Sequence, residues 1–327
     1  MKAFLELIRW KNLVIVVLTM ILMRYAVIAP LISKITVIMA GGTGEGIPMS
    51  LKLPWYDFTI LVLATLSITA AGYVINDYFD IKTDLVNRGG VIVGTKIPRR
   101  QAMMWHNILN IAGVVAGFYI SWKAGYFWLG TMFLLVSGLL YFYSASYRKQ
   151  FLIGNIIVAL MTAMVPLLVV IYEWPALYRF YAANATGPPK LSIILYWVGG
   201  FAVFAFLTTL AREIIKDIED FEGDMTYGKS TVPVVIGIRV ARVVSACLIF
   251  IIIALLYLVW HFFINDTITL VYISAVIVLP LIYSGYLTVS GTDKKQLHTA
   301  STIMKAVMVA GILYSVVVKI ILTWNLM

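Results

Sequence analysis

The chain of 327 residues is 62% hydrophobic and 12% charged, with a mean hydropathy of +0.95, a composition that excludes both an ordinary soluble domain and a disordered one. One cysteine, Cys247, excludes an intramolecular disulfide and a cysteine-rich metal site. The net charge of +10 is scattered over the ends of apolar runs and forms no separate basic module, so nucleic acid is not an expected partner.

A membrane-crossing helix needs about 20 mostly apolar residues to span a hydrocarbon layer about 30 Å thick. In chain order such stretches run near 12–38, 56–80, 101–121, 126–143, 153–172, 193–216, 240–263, 268–288 and 299–323. The expectation is therefore all-α: one domain over 1–327, a polytopic bundle of nine transmembrane helices. Turn-forming Pro54, Gly94, Pro98, Gly125, Gly154, Gly237 and Gly291 lie near the joints. No small-residue cleavage site follows the first apolar run, so that span is expected to be retained.

Basic residues alternate across the joints. The N-terminus and the even loops hold Arg9, Lys11, Lys96, Arg99, Arg148, Lys149 and Lys229 among others, and the odd loops hold few. Positive charge favours the cytoplasmic side and anionic headgroups. The expected placement is a multi-pass protein of the cell membrane, in contact with its lipids, with the N-terminus inside and the C-terminus outside.

The second and sixth spans end in the same acidic pattern. Asp77, Asp80 and Asp84 in one, and Asp217, Asp220 and Asp224 in the other, both read D-x-x-D-x-x-x-D. On a continuous helix this spacing puts three carboxylates on one face. Ionisable groups at the end of a membrane span are costly and face protein or water, which makes a functional site the default reading. Hard divalent cations take oxygen ligands, and Mg2+ binds through one or two carboxylates plus substrate phosphates. With Asn76 beside them, the six aspartates suit two carboxylate walls around a Mg2+-bound diphosphate. The plain alternative is two solvated acidic helix ends. An EF-hand fits worse, because its ligand spacing and final glutamate are missing.

The segments Asn76–Asp84 and Asp217–Asp224 resemble the paired N-D-x-x-D-x-x-x-D and D-x-x-D-x-x-x-D signatures of the UbiA superfamily of intramembrane prenyltransferases. That resemblance implies a bundle with a central cavity, an isoprenyl diphosphate donor, Mg2+ as cofactor, and transfer of the prenyl group to an acceptor. It implies Asn76, Asp77, Asp80 and Asp84 on one metal and Asp217, Asp220 and Asp224 on the other, with Asp77, Asp80, Asp217 and Asp220 the least replaceable. Tyr143 and Ser144, followed by Arg148 and Lys149, resemble the family's Y-S-x-x-x-K region near the diphosphate. The alternative for these is an aromatic belt with a positive anchor. Arg88 resembles the arginine of an N-R-P segment, but Gly89 and Gly90 follow where the family has proline and more arginine.

Around the second motif, Arg212-Glu213, Lys216-Asp217, Glu219-Asp220 and Gly223-Asp224 resemble the geranylgeranylglycerol-phosphate geranylgeranyltransferase branch. The acceptor implied is the glycerol hydroxyl of a prenylated glycerol phosphate, a lipid-like molecule, with Arg212, Lys216 and Lys229 as cations for its headgroup. Arg212 has a second reading, a salt bridge with Glu213, Glu219 or Asp220. An aromatic acceptor, as in quinone-type synthesis, and a cation transporter with a midplane site are the other functions the motifs allow. Arg24 inside the first span is expected to pair or to mark an early helix end. Lys305 and Lys319 share that ambiguity, and Glu173 beside Trp174-Pro175 is expected to cap its helix or be solvated.

Overall fold

The computed structural model describes residues 2–40, 45–88, 90–187, 189–291 and 293–324, with the side chains of Thr83, Asn87 and Arg88 outside that description. Among the described residues, nine helices are long and apolar enough to cross a membrane. In chain order the helices are α1 (Lys2–Leu7), α2 (Trp10–Ser33), α3 (Trp55–Phe79), α4 (Ile81–Arg88), α5 (Arg99–Lys123), α6 (Phe127–Ala145) and α7 (Ile153–Asn184). They continue as α8 (Ser192–Glu219), α9 (Phe221–Thr226), α10 (Val232–Ile236), α11 (Ile238–Ile264), α12 (Thr267–Ser290) and α13 (Lys294–Thr323).

Two apolar clusters hold the bundle together. Leu61, Ile120, Phe133, Tyr172 and Val198 join α3, α5, α6, α7 and α8, while Ile215, Ile252, Leu281 and Met304 join α8 to α11, α12 and α13. Helix α8 belongs to both clusters and so ties the halves. The closest approach, of α5 to α3 and α6, depends on two glycines one turn apart. A Cβ at Gly113 would stand 2.7 Å from Ile68, and one at Gly117 would stand 2.4 Å from Phe133, so small residues let these helices pack. Outward-facing Ile111, Trp128, Leu135 and Phe250 are exposed, as expected of side chains that meet lipid.

Helix α7 is longer than its apolar run predicts. It passes residue 172 and continues to Asn184 through Pro175, and at 1.5 Å per residue its 32 residues reach roughly 48 Å, beyond a hydrocarbon layer of about 30 Å. The extra turns meet a small hairpin, β1 (Thr36–Ile38) paired antiparallel with β2 (Gly46–Pro48). The Ala40 amide donates to the Asn184 carbonyl at 2.7 Å and the Thr186 amide to that of Ile38 at 2.9 Å.

A buried ion pair locks this end and corrects the reading of Glu173 as a cap or solvated residue. Arg24 and Glu173 side chains are 2% and 1% exposed, with Nε to Oε2 at 3.1 Å. The other carboxylate oxygen accepts the Lys52 and Leu53 amides at 2.8 and 3.0 Å. Arg24 also donates to the Leu53 carbonyl and lies over the Phe58 ring. A charge this deep persists only when fully paired, and the loop into α3 supplies what the sequence around Glu173 does not show.

Candidate active site

Both acidic motifs fold the same way, and neither is a continuous helix. Helix α3 stops at Asp80 (φ −91°, ψ 4°) and α8 at Asp220 (φ −92°, ψ 7°), and a short helix resumes at the next residue in each case. The Asp80 amide donates to the Asn76 carbonyl and the Asp84 amide to that of Asp80. The Asp220 and Asp224 amides repeat this with Lys216 and Asp220. The single helical face expected for each triplet is thus bent at its second aspartate. The short helices α4 and α9, carrying Asp84 and Asp224, pack against each other.

The aspartates are seated against cations and amides of the chain. Arg9 reaches Asp77 at 2.7 Å, while Arg148 pairs with Asp80 and donates to Asn76 Oδ1 at 3.1 Å. Asn155 Nδ2 donates to Asp217 at 2.8 Å, and Lys229 meets Asp224 at 2.9 Å with both side chains 4% exposed. Packing works against the Arg9 charge, but Asp77 and Tyr73 outweigh it and hold the guanidinium above its ordinary pKa. Burial, then the like charge of Arg9, pushes Arg148 down. Burial, then Arg148, does the same to Lys229. Arginine stays charged in any case, and in both groups burial is the larger cause of the shift.

Among the described residues no three carboxylates or imidazoles form a preformed metal cage. That suits Mg2+, which keeps waters and takes one or two carboxylates with substrate phosphates. The donors are hard oxygens, and two of them, Asp80 Oδ2 and Asp224 Oδ1, are buried and held by Arg148 and Lys229. The motif residues fit Mg2+ by the chemistry of their donors.

Beside the first motif a cavity of about 310 Å³ opens into the bundle. Arg9, Tyr73, Asn76, Tyr143, Arg148, Arg212, Glu213, Lys216 and Lys305 line its motif end, and Ile68, Phe133, Met161, Val165 and Leu168 its interior. Along α3 the lining from Thr65 to Asn76 extends roughly 16 Å at 1.5 Å per residue. A polar mouth on an apolar channel suits an amphipathic ligand with a charged head.

The remaining sequence candidates divide. Tyr143 faces the cavity, but Ser144 is buried and donates to the Leu140 carbonyl at 2.9 Å. Lys149 is exposed, and its neighbour Arg148, the sixth residue counted from Tyr143, reaches Asp80 and Asn76 instead. Arg212 adopts the salt-bridge reading, to Glu213 at 2.6 Å, and still lines the cavity; Lys216 reaches the same carboxylate at 3.6 Å. The Arg88 side chain lies outside the described residues. Sequence reasoning passed over Arg9, Arg148, Asn155 and Glu213 as site members. Arg9 carries the same signal as any positive-inside residue, whereas Arg148 stands in the Y-S-x-x-x-K resemblance, where Lys149 is favoured over it.

The profile of the UbiA prenyltransferase family matches residues 43–309. The chain belongs to the UbiA prenyltransferase family. It is 31% identical over 255 residues to the digeranylgeranylglyceryl phosphate synthase of Methanosphaera stadtmanae, covering 76% of this chain and 84% of that protein. To the synthase of the same name from Thermococcus kodakarensis it is 30% identical over 273 residues, or 83% and 85% of the two chains. Among solved structures, that of a digeranylgeranylglyceryl phosphate synthase superposes with a TM-score of 0.62 at 23% identity, covering 96% of this chain and 98% of that one. A UbiA homologue from Archaeoglobus fulgidus bound to DMAPP and Mg2+ gives 0.54 at 16% identity, covering 96% and 99%. As a UbiA-family member this is an integral, multi-pass membrane enzyme, a prenyltransferase rather than a transporter.

Proposed function

We propose that the enzyme transfers a geranylgeranyl group from its diphosphate to the free glycerol hydroxyl of geranylgeranylglyceryl phosphate, with Mg2+ as cofactor. Asn76, Asp77, Asp80 and Asp84 would hold one ion and Asp217, Asp220 and Asp224 another. When bound, Mg2+ would supply positive charge that offsets the charge growing on the leaving group. The relatives named digeranylgeranylglyceryl phosphate synthase support this reading, as does the cavity's own chemistry.

The carrying observation is the surplus of cations at the cavity mouth, where Arg9, Arg148, Arg212, Lys216 and Lys305 line the same space as Glu213. Arg148 and Lys229, seated beside the two acidic motifs, would donate to oxygens of the departing diphosphate. Tyr143 borders the same space. The apolar wall of Ile68, Phe133 and Val165 would take the prenyl tail and keep bulk water from the allylic carbon as its carbon–oxygen bond breaks. The acceptor oxygen then forms the new carbon–oxygen bond and gives up its proton. The distribution of basic residues supports a cytoplasmic site in the cell membrane.

Purified protein supplied with geranylgeranyl diphosphate and Mg2+ tests the proposal against geranylgeranylglyceryl phosphate and a panel of phenols. The expected product is digeranylgeranylglyceryl phosphate alone. Transfer only to the phenols refutes the ether-lipid reading in favour of an aromatic acceptor.

A further inference from the structure

Helices α8 and α13 run antiparallel, and two contacts set their register. Thr209 Oγ1 lies 3.9 Å from Met308 Sδ, and Glu219 Oε1 lies 2.9 Å from His298 Nδ1. Arg212 is three residues beyond Thr209 and Lys305 three before Met308, so both stand one turn nearer the motif end on facing helices. Each also lines the cavity. Two cations opposite one another in a membrane bundle repel unless an anion lies between them.

Neither has its charge fully answered by the chain. Lys305 Nζ donates to Asn12 Oδ1 at 2.6 Å, a neutral group, and has no carboxylate partner among the described residues. Arg212 gives Nη1 to Glu213, while its Nε is buried without a hydrogen-bond partner. Glu213 is shared with Lys216. Arg9 and Arg148, by contrast, sit on Asp77 and Asp80 of the first motif. The pair on α8 and α13 shares the cavity with Arg9 and Arg148 but, unlike them, has no partner on the first aspartate wall.

We propose that Arg212 and Lys305 form an anion subsite for the phosphate monoester of the acceptor, a proposal that rests on the acceptor reading above. A dianion matches two facing cations, where a carboxylate would answer only one. The planar guanidinium and the flexible ammonium approach phosphate oxygens from opposite helices. Asn12, on α2, steers the ammonium into the cavity. Lys305 thereby makes the enzyme prefer a phosphorylated acceptor over a neutral lipid alcohol of the same tail.

Steady-state kinetics of the full chain in lipid nanodiscs, with geranylgeranylglyceryl phosphate and its dephosphorylated analogue as acceptors, test this. Lys305→Met should raise the acceptor KM by about tenfold or more, the scale of one charge-assisted hydrogen bond, and leave the donor KM unchanged. Preference for the phosphorylated acceptor should shrink by the same factor, and Lys305→Arg should restore it. Lys305→Gln, which keeps a donor for Asn12, serves the same comparison if the methionine variant does not fold. Unchanged preference, or an equal rise in donor KM, overturns the subsite while wild-type transfer leaves the acceptor reading standing. Wild-type failure on the phosphorylated acceptor overturns both.

Discussion

Replacing Arg148 by methionine should lower two kinetic constants together, the Mg2+ concentration needed for half-saturation and the turnover number. Arg148 pairs with Asp80 and donates to Asn76 at 3.1 Å, so in the resting protein its guanidinium competes with Mg2+ for the first acidic wall. A charge-assisted hydrogen bond contributes about 1.5–3 kcal/mol net. Loss of that competitor and of its like charge should therefore lower the half-saturating Mg2+ concentration by about tenfold or more. The same variant loses a donor to the departing diphosphate, and removing one such group costs about 10²–10³ in kcat. Diphosphate release measured across a Mg2+ titration, at saturating geranylgeranyl diphosphate, reads both quantities. Lys149→Met, altering the exposed neighbour, should change neither. A Mg2+ requirement that stays the same or rises in Arg148→Met would refute the competition and leave Arg148 as a strut.

Two further outcomes follow from other parts of the bundle. Glu173→Gln removes the partner of Arg24 from a pair that is almost fully buried, and breaking such a pair costs about 3–5 kcal/mol. Thermal unfolding in one detergent should show a clear loss of stability, while the donor KM of the folded fraction stays the same because the pair lies at the end opposite the motifs. Leu168→Trp fills the deep end of the cavity. Product analysis should show a fall in kcat/KM for the geranylgeranyl donor, with the shorter geranyl donor largely spared.

Periodicity and loop charge made most of the architecture legible, because crossing a membrane demands long apolar helices and the aspartates interrupt them twice at the same spacing. The breaks at Asp80 and Asp220 were not legible. Helical spacing treats D-x-x-D-x-x-x-D as one continuous face, whereas the backbone turns at the second aspartate in both copies. The end of α7 was misread for a related reason. Glu173-Trp174-Pro175 has the composition of a helix end, but the carboxylate is held by Arg24 and two amides from the loop before α3, and the helix continues. Arg148, not Lys149, occupies the basic position of Y-S-x-x-x-K counted from Tyr143, and the structure puts Arg148 on the first motif and leaves Lys149 exposed. Arg212 combined both of its sequence readings, an ion pair with Glu213 and a place on the cavity wall.

The central claim is that two aspartate walls jointly hold a magnesium-bound prenyl diphosphate. The most direct measurement is the Mg2+ dependence of diphosphate release by Asp80→Asn and Asp220→Asn, one variant from each wall. Each should lose most turnover at limiting Mg2+ and require more of the ion for whatever remains. Normal turnover by either variant at limiting Mg2+ would contradict the two-wall account.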